Sequence, residues 1–282
     1  MIPRPVLTAW RNRAPWREDR QVAQDLILSL MAIRVGAHPL LGEHLVWRGG
    51  TCLHKLHLER AHRYSEDLDY VLVGEVEHAE VSSALERLVA GLGMDIPKSE
   101  MSSARVNVWG EVEVPTAGAS VRVKFEVNCA DLPPVFEINR IRHSVSTRIW
   151  NEQADLLTFL PSELLGTKFR ALAQRRKGRD LWDLWLARRE LGIPDDELAV
   201  AADCYLSGAS VHPAVFRERL AKHVLDPGFC SDLDILTPAS SEGFHPEAAS
   251  RELIQWTDRH LDPLVNQRRS ASAVHRDQEK WR

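Results

Sequence analysis

Asp67 and Asp69, in the run Ser65-Glu66-Asp67-Leu68-Asp69-Tyr70, are two carboxylates one residue apart at the entrance to an apolar strand. Alternate residues of a strand project to the same side, so both can ligate one cation. Without a cation the two carboxylates repel and raise each other's pKa, so the pair is unfavourable unless something neutralises it. Upstream lie Gly49-Gly50-Thr51 and Lys55. A glycine pair lets backbone N–H groups approach a phosphate closely, and Thr51 is placed to cap a helix that begins there. Cation-binding carboxylates beside a phosphate cradle are parts of a phosphoryl-transfer site. A solvated strand entrance is the plain alternative for a bare Asp-x-Asp pair, and the glycine-threonine-lysine element weighs against it.

Further candidates lie downstream. In Val121 to Asn128, alternation places Val121, Val123, Phe125 and Val127 on one face and Arg122, Lys124, Glu126 and Asn128 on the other. Glu126 therefore faces solvent or a cleft, where it is a candidate third metal carboxylate. Lys168 sits four residues from both Leu164 and Leu172, within an apolar stripe, and an ammonium there needs an anion or must snorkel to water. Asp180 and Asp183 share a helical face opposite Leu181, Leu184 and Trp185. Acids in a first turn are ordinary dipole partners, so Asp183 is the more informative of the two. Ser65, two residues from Asp67, is a candidate regulatory phosphosite, because a phosphate would add about −1.5 to −2 charges beside the carboxylates. A turn serine bonding its own backbone is the simpler reading. His54, His57 and His62 lack the four-ligand set of a structural zinc site. An aspartyl-phosphatase pattern is disfavoured because the apolar run follows Asp67 instead of preceding it.

These residues need a scaffold, and the patterning predicts a mixed one. Helical spacing covers Glu18 to Val35; Leu45 to Trp47 reads as a strand ended by Gly49-Gly50, and Thr51 to Leu58 as a short helix. A strand Asp69 to Val73 and a helix Ala79 to Leu92 follow, then strands Met101 to Val114 and Ser120 to Cys129. Strand signals stop near Asn151. Helices are expected at Pro161 to Gln174, Arg179 to Leu191, Asp195 to Ser207, Pro213 to Val224 and Pro246 to His260. The expected organisation is an α/β (α+β) domain over residues 1–150 and a helical region over 151–282, with a basic tail fraying from about Asn266.

The chain has 282 residues, 44% hydrophobic and 27% charged, enough for two modest cores. No apolar run approaches the ~18 residues of a membrane helix. The first twenty residues carry arginines but no apolar core, which argues against a secretory signal. Four scattered cysteines suggest neither a zinc ribbon nor a disulfide framework, so a reduced, cytoplasmic setting is expected. A net charge of −4 offers no global attraction to nucleic acid, yet the segment Lys168 to Glu190 holds eight basic residues against three acidic ones.

The blocks Arg48-Gly49-Gly50-Thr51-Cys52-Leu53-His54-Lys55, Arg63-Tyr64-Ser65-Glu66-Asp67-Leu68-Asp69-Tyr70, Lys124-Phe125-Glu126-Val127, and Lys168-Phe169-Arg170-Ala171-Leu172 with Arg179-Asp180-Leu181-Trp182-Asp183-Leu184 closely resemble, in order, those of the AbiEii/AbiGii toxin nucleotidyltransferases. The resemblance implies a nucleotidyltransferase-like mixed sheet with flanking helices and a helical C-terminal region. It also implies a toxin of a bacterial toxin-antitoxin or phage-defence module, with a cognate antitoxin encoded nearby. Carried onto this chain, Asp67 and Asp69 would hold Mg²⁺ (or Mn²⁺), with Glu126 as the least uniform ligand. Gly49, Gly50, Thr51 and Lys55 would form the NTP pocket, Lys168 would contact the triphosphate, and Asp183 or Asp180 would complete the site. Related members add nucleotides to the 3′ end of tRNA, so an RNA acceptor is implied, and the basic segment would attract its backbone. Cys52 stands where many members have Ala, another small residue. The residues themselves leave open a small-molecule or protein acceptor, or a non-catalytic binding module.

Overall fold

The structure is a computed structural model that describes the backbone of residues 2–60, 62–130, 132–234, 236 and 243–279, with side chains as far as Arg268. The chain divides into two compact units, Met1–Leu160 with Leu236–Ser240, and Pro161–Ile235 with Ser241–Arg282.

The first unit begins with helices α1 (Arg4–Trp10) and α2 (Asp19–Ala37), the short turn α3 (Leu41–His44), strand β1 (Leu45–Arg48) and the tight helix α4 (Gly49–Cys52), which runs on as a π-helical turn, Leu53–His57. Strand β2 (Asp67–Leu72), helix α5 (His78–Gly91) and strands β3 (Asp95–Met101), β4 (Arg105–Val114), β5 (Ala119–Asn128), β6 (Asn139–Ser146) and β7 (Asn151–Thr158) follow. The seven strands form one mixed sheet in the order β3-β4-β5-β2-β1-β7-β6. The β2–β5 and β1–β7 pairs are parallel, and the other neighbours are antiparallel.

Alternation in β5 is as the sequence reads: Val121, Val123, Phe125 and Val127 are fully buried, and Arg122, Lys124 and Glu126 lie on the opposite face. In β4, Val106, Val108 and Gly110 share the buried side, where Gly110 packs against Val89 of α5 and Met94. Helix α2 packs against β5, β6 and β7, and is so deeply buried that it carries the polar Gln24, Asp25 and Ser29 inside. Glu18 and Gln21 close its first turn with a capping box.

Three strands escaped the sequence reading. Strand β3 is exposed along its whole length and the first half of β7 is polar. Strand β6 does alternate, with Ile141 and Val145 on its covered side and Arg140, Arg142 and Ser144 outside, but Asn139 and His143 share the covered side and leave only two apolar residues as a signal. Backbone ladders to neighbours hold them instead, and β3 and β6 are the sheet's edges, where Pro97 and charges are tolerated. The mixed architecture therefore continues past residue 150, and helices take over at Pro161.

The second unit consists of α6 (Pro161–Gln174), α7 (Gly178–Glu190), α8 (Asp195–Gly208), α9 (Pro213–His223), α10 (Pro227–Ser231) and α11 (Pro246–Glu279). Phe169, Phe216 and Trp256 form its aromatic centre, with ring centroids 5.3 Å apart for each contact of Phe169. The stretch from Asn266, expected to fray, continues α11 as helix to Glu279. No described helix is long and apolar enough to cross a membrane.

Candidate active site

Strand β2 starts two residues earlier than its apolar run, so Asp67 and Asp69 both lie within the ladder. Their backbone pairs with the parallel strand β5, Asp67 opposite Lys124 and Asp69 opposite Glu126. All four side chains therefore stand on the polar face of the sheet, while Leu68 and Tyr70 point into the core. Asp67 is exposed and Asp69 half-buried.

On the other side of β2, Asp69 pairs with Arg48, and the chain turns directly into α4 at Gly49. Gly49 has φ of +84°, and a Cβ there would fall 2.4 Å from Asp69 Oδ2. Only glycine lets the backbone pass this close to the carboxylate. Gly50 lies under the buried Arg63 guanidinium, whose Nη2 would be 2.0 Å from a Cβ. We expect Gly49→Ala to lower transfer activity at least about 100-fold and stability by roughly 1–3 kcal/mol, since it adds a clash at a left-handed position. Turnover with labelled NTP and a thermal melt measure both.

Thr51 is not the cap expected of it. The helix begins at Gly49, and Thr51, buried in its first turn, donates its hydroxyl proton to Ser65 Oγ at 2.7 Å. That bond ties the glycine turn to the segment leading into the aspartates. Lys55 is directed elsewhere: its ammonium pairs with Asp25 at 2.8 Å and donates to Ser29 Oγ at 2.9 Å. The Trp10 and Trp16 indoles donate to the same Asp25 carboxylate, so the structure gives Lys55 an interior ion pair on α2. Cys52 is fully buried and its thiol is pushed up to about 12 by burial, which makes it an inert core residue.

The electrostatics of the pair suit a cation. Asp67 is pushed up to about 6, first by the surrounding protein and then by Asp69, with Lys124 acting in the opposite direction. Glu126 behaves differently: burial would raise it, but the Lys124 ammonium, together with Arg105 and Arg48, holds it below its ordinary value. Glu126 makes a very short ion pair with Lys124 and a second with Arg105 at 3.5 Å. No group of three or more His, Cys, Asp or Glu placed to hold a metal occurs among the described residues. Two hard oxygen donors on one face fit a divalent cation of the Mg²⁺ type, which commonly takes one or two protein carboxylates and completes its shell with water and substrate phosphates. A groove of about 400 Å³ runs beside Asp67, bounded by Arg20, Trp109, Arg122 and Lys124 among others. Lys124 carries no role in the sequence alone, where its i, i+2 spacing from Glu126 is the available signal. From sequence the nine tryptophans read as core anchors in preference to base-stacking platforms, and Trp109, only half-buried, departs from that reading through its cross-strand register.

The second unit holds its own charged cluster. Lys168, 6% exposed, pairs with Asp180 at 3.0 Å and Asp183 at 2.8 Å, and both aspartates are fully buried. Arg175 adds a two-pronged contact to Asp180 at 2.8 and 3.0 Å. Burial would raise Asp180, but Lys168 and Arg175 outweigh it and hold the carboxyl below its usual range. The lysine that the apolar stripe left in need of an anion has two. The basic segment around it is not a bare cationic surface: Arg176, Lys177, Arg188 and Arg189 pair with Asp226, Asp232, Asp195 and Glu252. The expected landing site for an RNA backbone there is therefore largely neutralised within the unit.

A family model described as nucleotidyl transferase AbiEii toxin, type IV toxin-antitoxin system, matches residues 34–268. The chain belongs to this family, and it is a nucleotidyltransferase. Among solved structures it is similar to JHP933 from Helicobacter pylori, at 18% identity and TM-score 0.54, over 92% of this chain and 99% of that one. It is also similar to MenT4, nucleotidyltransferase toxin Rv2826c from Mycobacterium tuberculosis H37Rv, at 15% identity and TM-score 0.53, over 92% and 90% of the two chains. Both likenesses concern the fold. No curated protein sequence matches. Membership in a type IV family implies an antitoxin partner.

Proposed function

We propose that this toxin transfers a nucleoside monophosphate from an NTP to the 3′-hydroxyl of an RNA, preferably tRNA, and so stops translation in the cytoplasm of its host. The observation that carries the reading is the pair Asp67 and Asp69, on one exposed strand end, with Asp69 pressed against the positive-φ Gly49 that opens α4. When bound, Mg²⁺ or Mn²⁺ would offset the charge of the phosphates and polarise the α-phosphate. The chain supplies the rest. Asp67 and Asp69 hold the cation, and the amides of the first turn from Gly49 have no intrahelical acceptor and suit a phosphate oxygen. The Thr51–Ser65 bond keeps turn and carboxylates in register, and in the second unit Lys168 is held by Asp180 and Asp183.

The similarity to a solved nucleotidyltransferase toxin supports the reading at the level of fold. Incubation with α-labelled NTP and total cell RNA, protein or metabolites tests it. Label is expected in the tRNA fraction, and label confined to protein or metabolites would remove the RNA assignment. An antitoxin encoded by a neighbouring reading frame is expected to restore growth.

Ser65 offers a way to regulate the site. Its Oγ accepts the Thr51 bond, so a phosphate would break that tie and crowd Asp67 with negative charge. Ser65→Asp is expected to lower NTP transfer at least about tenfold with little change in melting temperature. Full activity in that variant would remove Ser65 as a control point.

A further inference from the structure

We infer that Trp109 and the two lysines beside it form the seat for the single-stranded 3′ end of the RNA acceptor, in line with Asp67. The assignment rests on the proposed transfer to RNA and names where the acceptor lies.

The argument comes from register. In β3, β4, β5 and β2, Lys98 pairs with Trp109, Trp109 with Lys124, and Lys124 with Asp67. The four residues form one row across the sheet on its polar face, perpendicular to the strands. Adjacent strands are about 4.8 Å apart, so Trp109 lies two strand spacings, roughly 10 Å, from Asp67. That is on the scale of one to two nucleotides. A 3′-terminal hydroxyl at the carboxylates would place a neighbouring base over the indole.

The chemistry of the row matches such a strand. The Trp109 ring is half-buried on the solvent side of the sheet, and the Lys98 and Lys124 ammonium groups stand 4.9 and 5.6 Å from its centroid. An indole plane bracketed by cations is a stacking platform with phosphate contacts at its edge. Both ammonium groups are ion-paired, Lys98 to Glu100 at 2.7 Å and Lys124 to Glu126, so the indole face carries the seat. A base can replace the ring–ammonium contacts while the lysines turn from those acids to the phosphates. In the groove itself, Arg20, Arg122 and Lys124 are matched by Glu66, Asp67 and Glu111, so bulk charge does not make it an RNA site. Stacking on Trp109 has to supply the recognition, and the neutralised basic segment of the second unit leaves the role open to it.

The test uses the full-length protein and a fluorescent single-stranded oligoribonucleotide with a free 3′-hydroxyl, read by anisotropy. Trp109→Ala is expected to weaken binding about tenfold, Trp109→Phe to restore most of it, and Lys98→Ala, at an exposed position, to weaken it about threefold with a shallower salt dependence. Calorimetric affinity for Mg-NTP should not change in any of them. Oligonucleotide binding equal to wild type in both Trp109→Ala and Lys98→Ala would overturn the inference. So would a loss confined to Mg-NTP affinity, which would give the ring to the donor base instead. The two readings fail separately: wild-type protein that binds the oligonucleotide through Trp109 but transfers no label refutes the transfer reaction alone. Active wild type with an unchanged RNA KM in Trp109→Ala refutes the seat alone.

Discussion

Asp67→Asn is expected to reduce label transfer from α-labelled NTP by about 10³-fold or more, and to abolish growth inhibition on expression. Losing one of two carboxylates for the divalent cation removes several kcal/mol of stabilisation of the transferring phosphate, and each 1.36 kcal/mol is tenfold in rate. The same substitution should make the metal-free protein more stable. Asp67 is held up to about 6 in the folded chain, against an ordinary value near 3.8, so the folded state binds its proton more tightly than the unfolded state does. Its ionised form therefore opposes folding above pH 6, and that opposition is relieved as pH falls from 6 towards 3.8. At pH 7.5, Asp67→Asn should melt about 1–3 °C higher than wild type in EDTA, with the gap closing by pH 4. Adding Mg²⁺ or Mn²⁺ should raise the wild-type melting temperature at pH 7.5 and leave the variant nearly unmoved. Undiminished transfer by Asp67→Asn, or an equal metal response, would remove the carboxylate pair from the reaction.

Lys168→Met is expected to destabilise the second unit by roughly 3–5 kcal/mol, because it removes the ammonium from two fully buried carboxylates. Arg175 still serves Asp180, so most of the strain falls on Asp183, which loses a 2.8 Å ion pair. Adding Asp183→Asn to Lys168→Met should recover a large part of the loss, since an amide is far easier to bury than a charge. Denaturant melts of the wild type, the single and the double variant give the coupling directly. The pH dependence has a defined sign. Asp180 lies below its ordinary value in the folded state, so its contribution is fully present above about pH 4 and lost as acid protonates it. Transfer assays on the double variant separate two roles for the lysine: activity that returns with stability makes Lys168 structural only, and activity that stays lost at restored stability gives it a role in the reaction beyond stability.

The elements with an apolar period were legible from residues alone. Strand β5 alternates as read, α6 begins at Pro161 and ends at Gln174 as expected, and α2, α5, α7, α8 and α9 fall within two residues of their predicted ends. Strands β3, β6 and β7 were not: β3 is an exposed edge held by ladder hydrogen bonds that leave no imprint on side-chain pattern, and in β6 and β7 the apolar signal shrinks to Ile141 and Val145 and to Leu156 and Leu157, too few to mark a strand. Helix α11 outran its expected end at His260 because its later turns are too polar to show a stripe.

The site divides in the same way. Residue types and local spacing determined the aspartate pair, the glycine turn beside it, and a lysine among leucines that needed anions, since each depends on a period of two or four residues and on the chemistry of its own side chain. Which partner each charge meets was decided by tertiary structure. The parallel pairing of β2 with β5 sets Lys124 beside Asp67 and engages Glu126, packing on α2 takes Lys55 to Asp25, and an α6–α7 contact gives Lys168 its two acids. Electrostatic partners are chosen by distance through space, and strand order and helix packing create distances that no local pattern encodes.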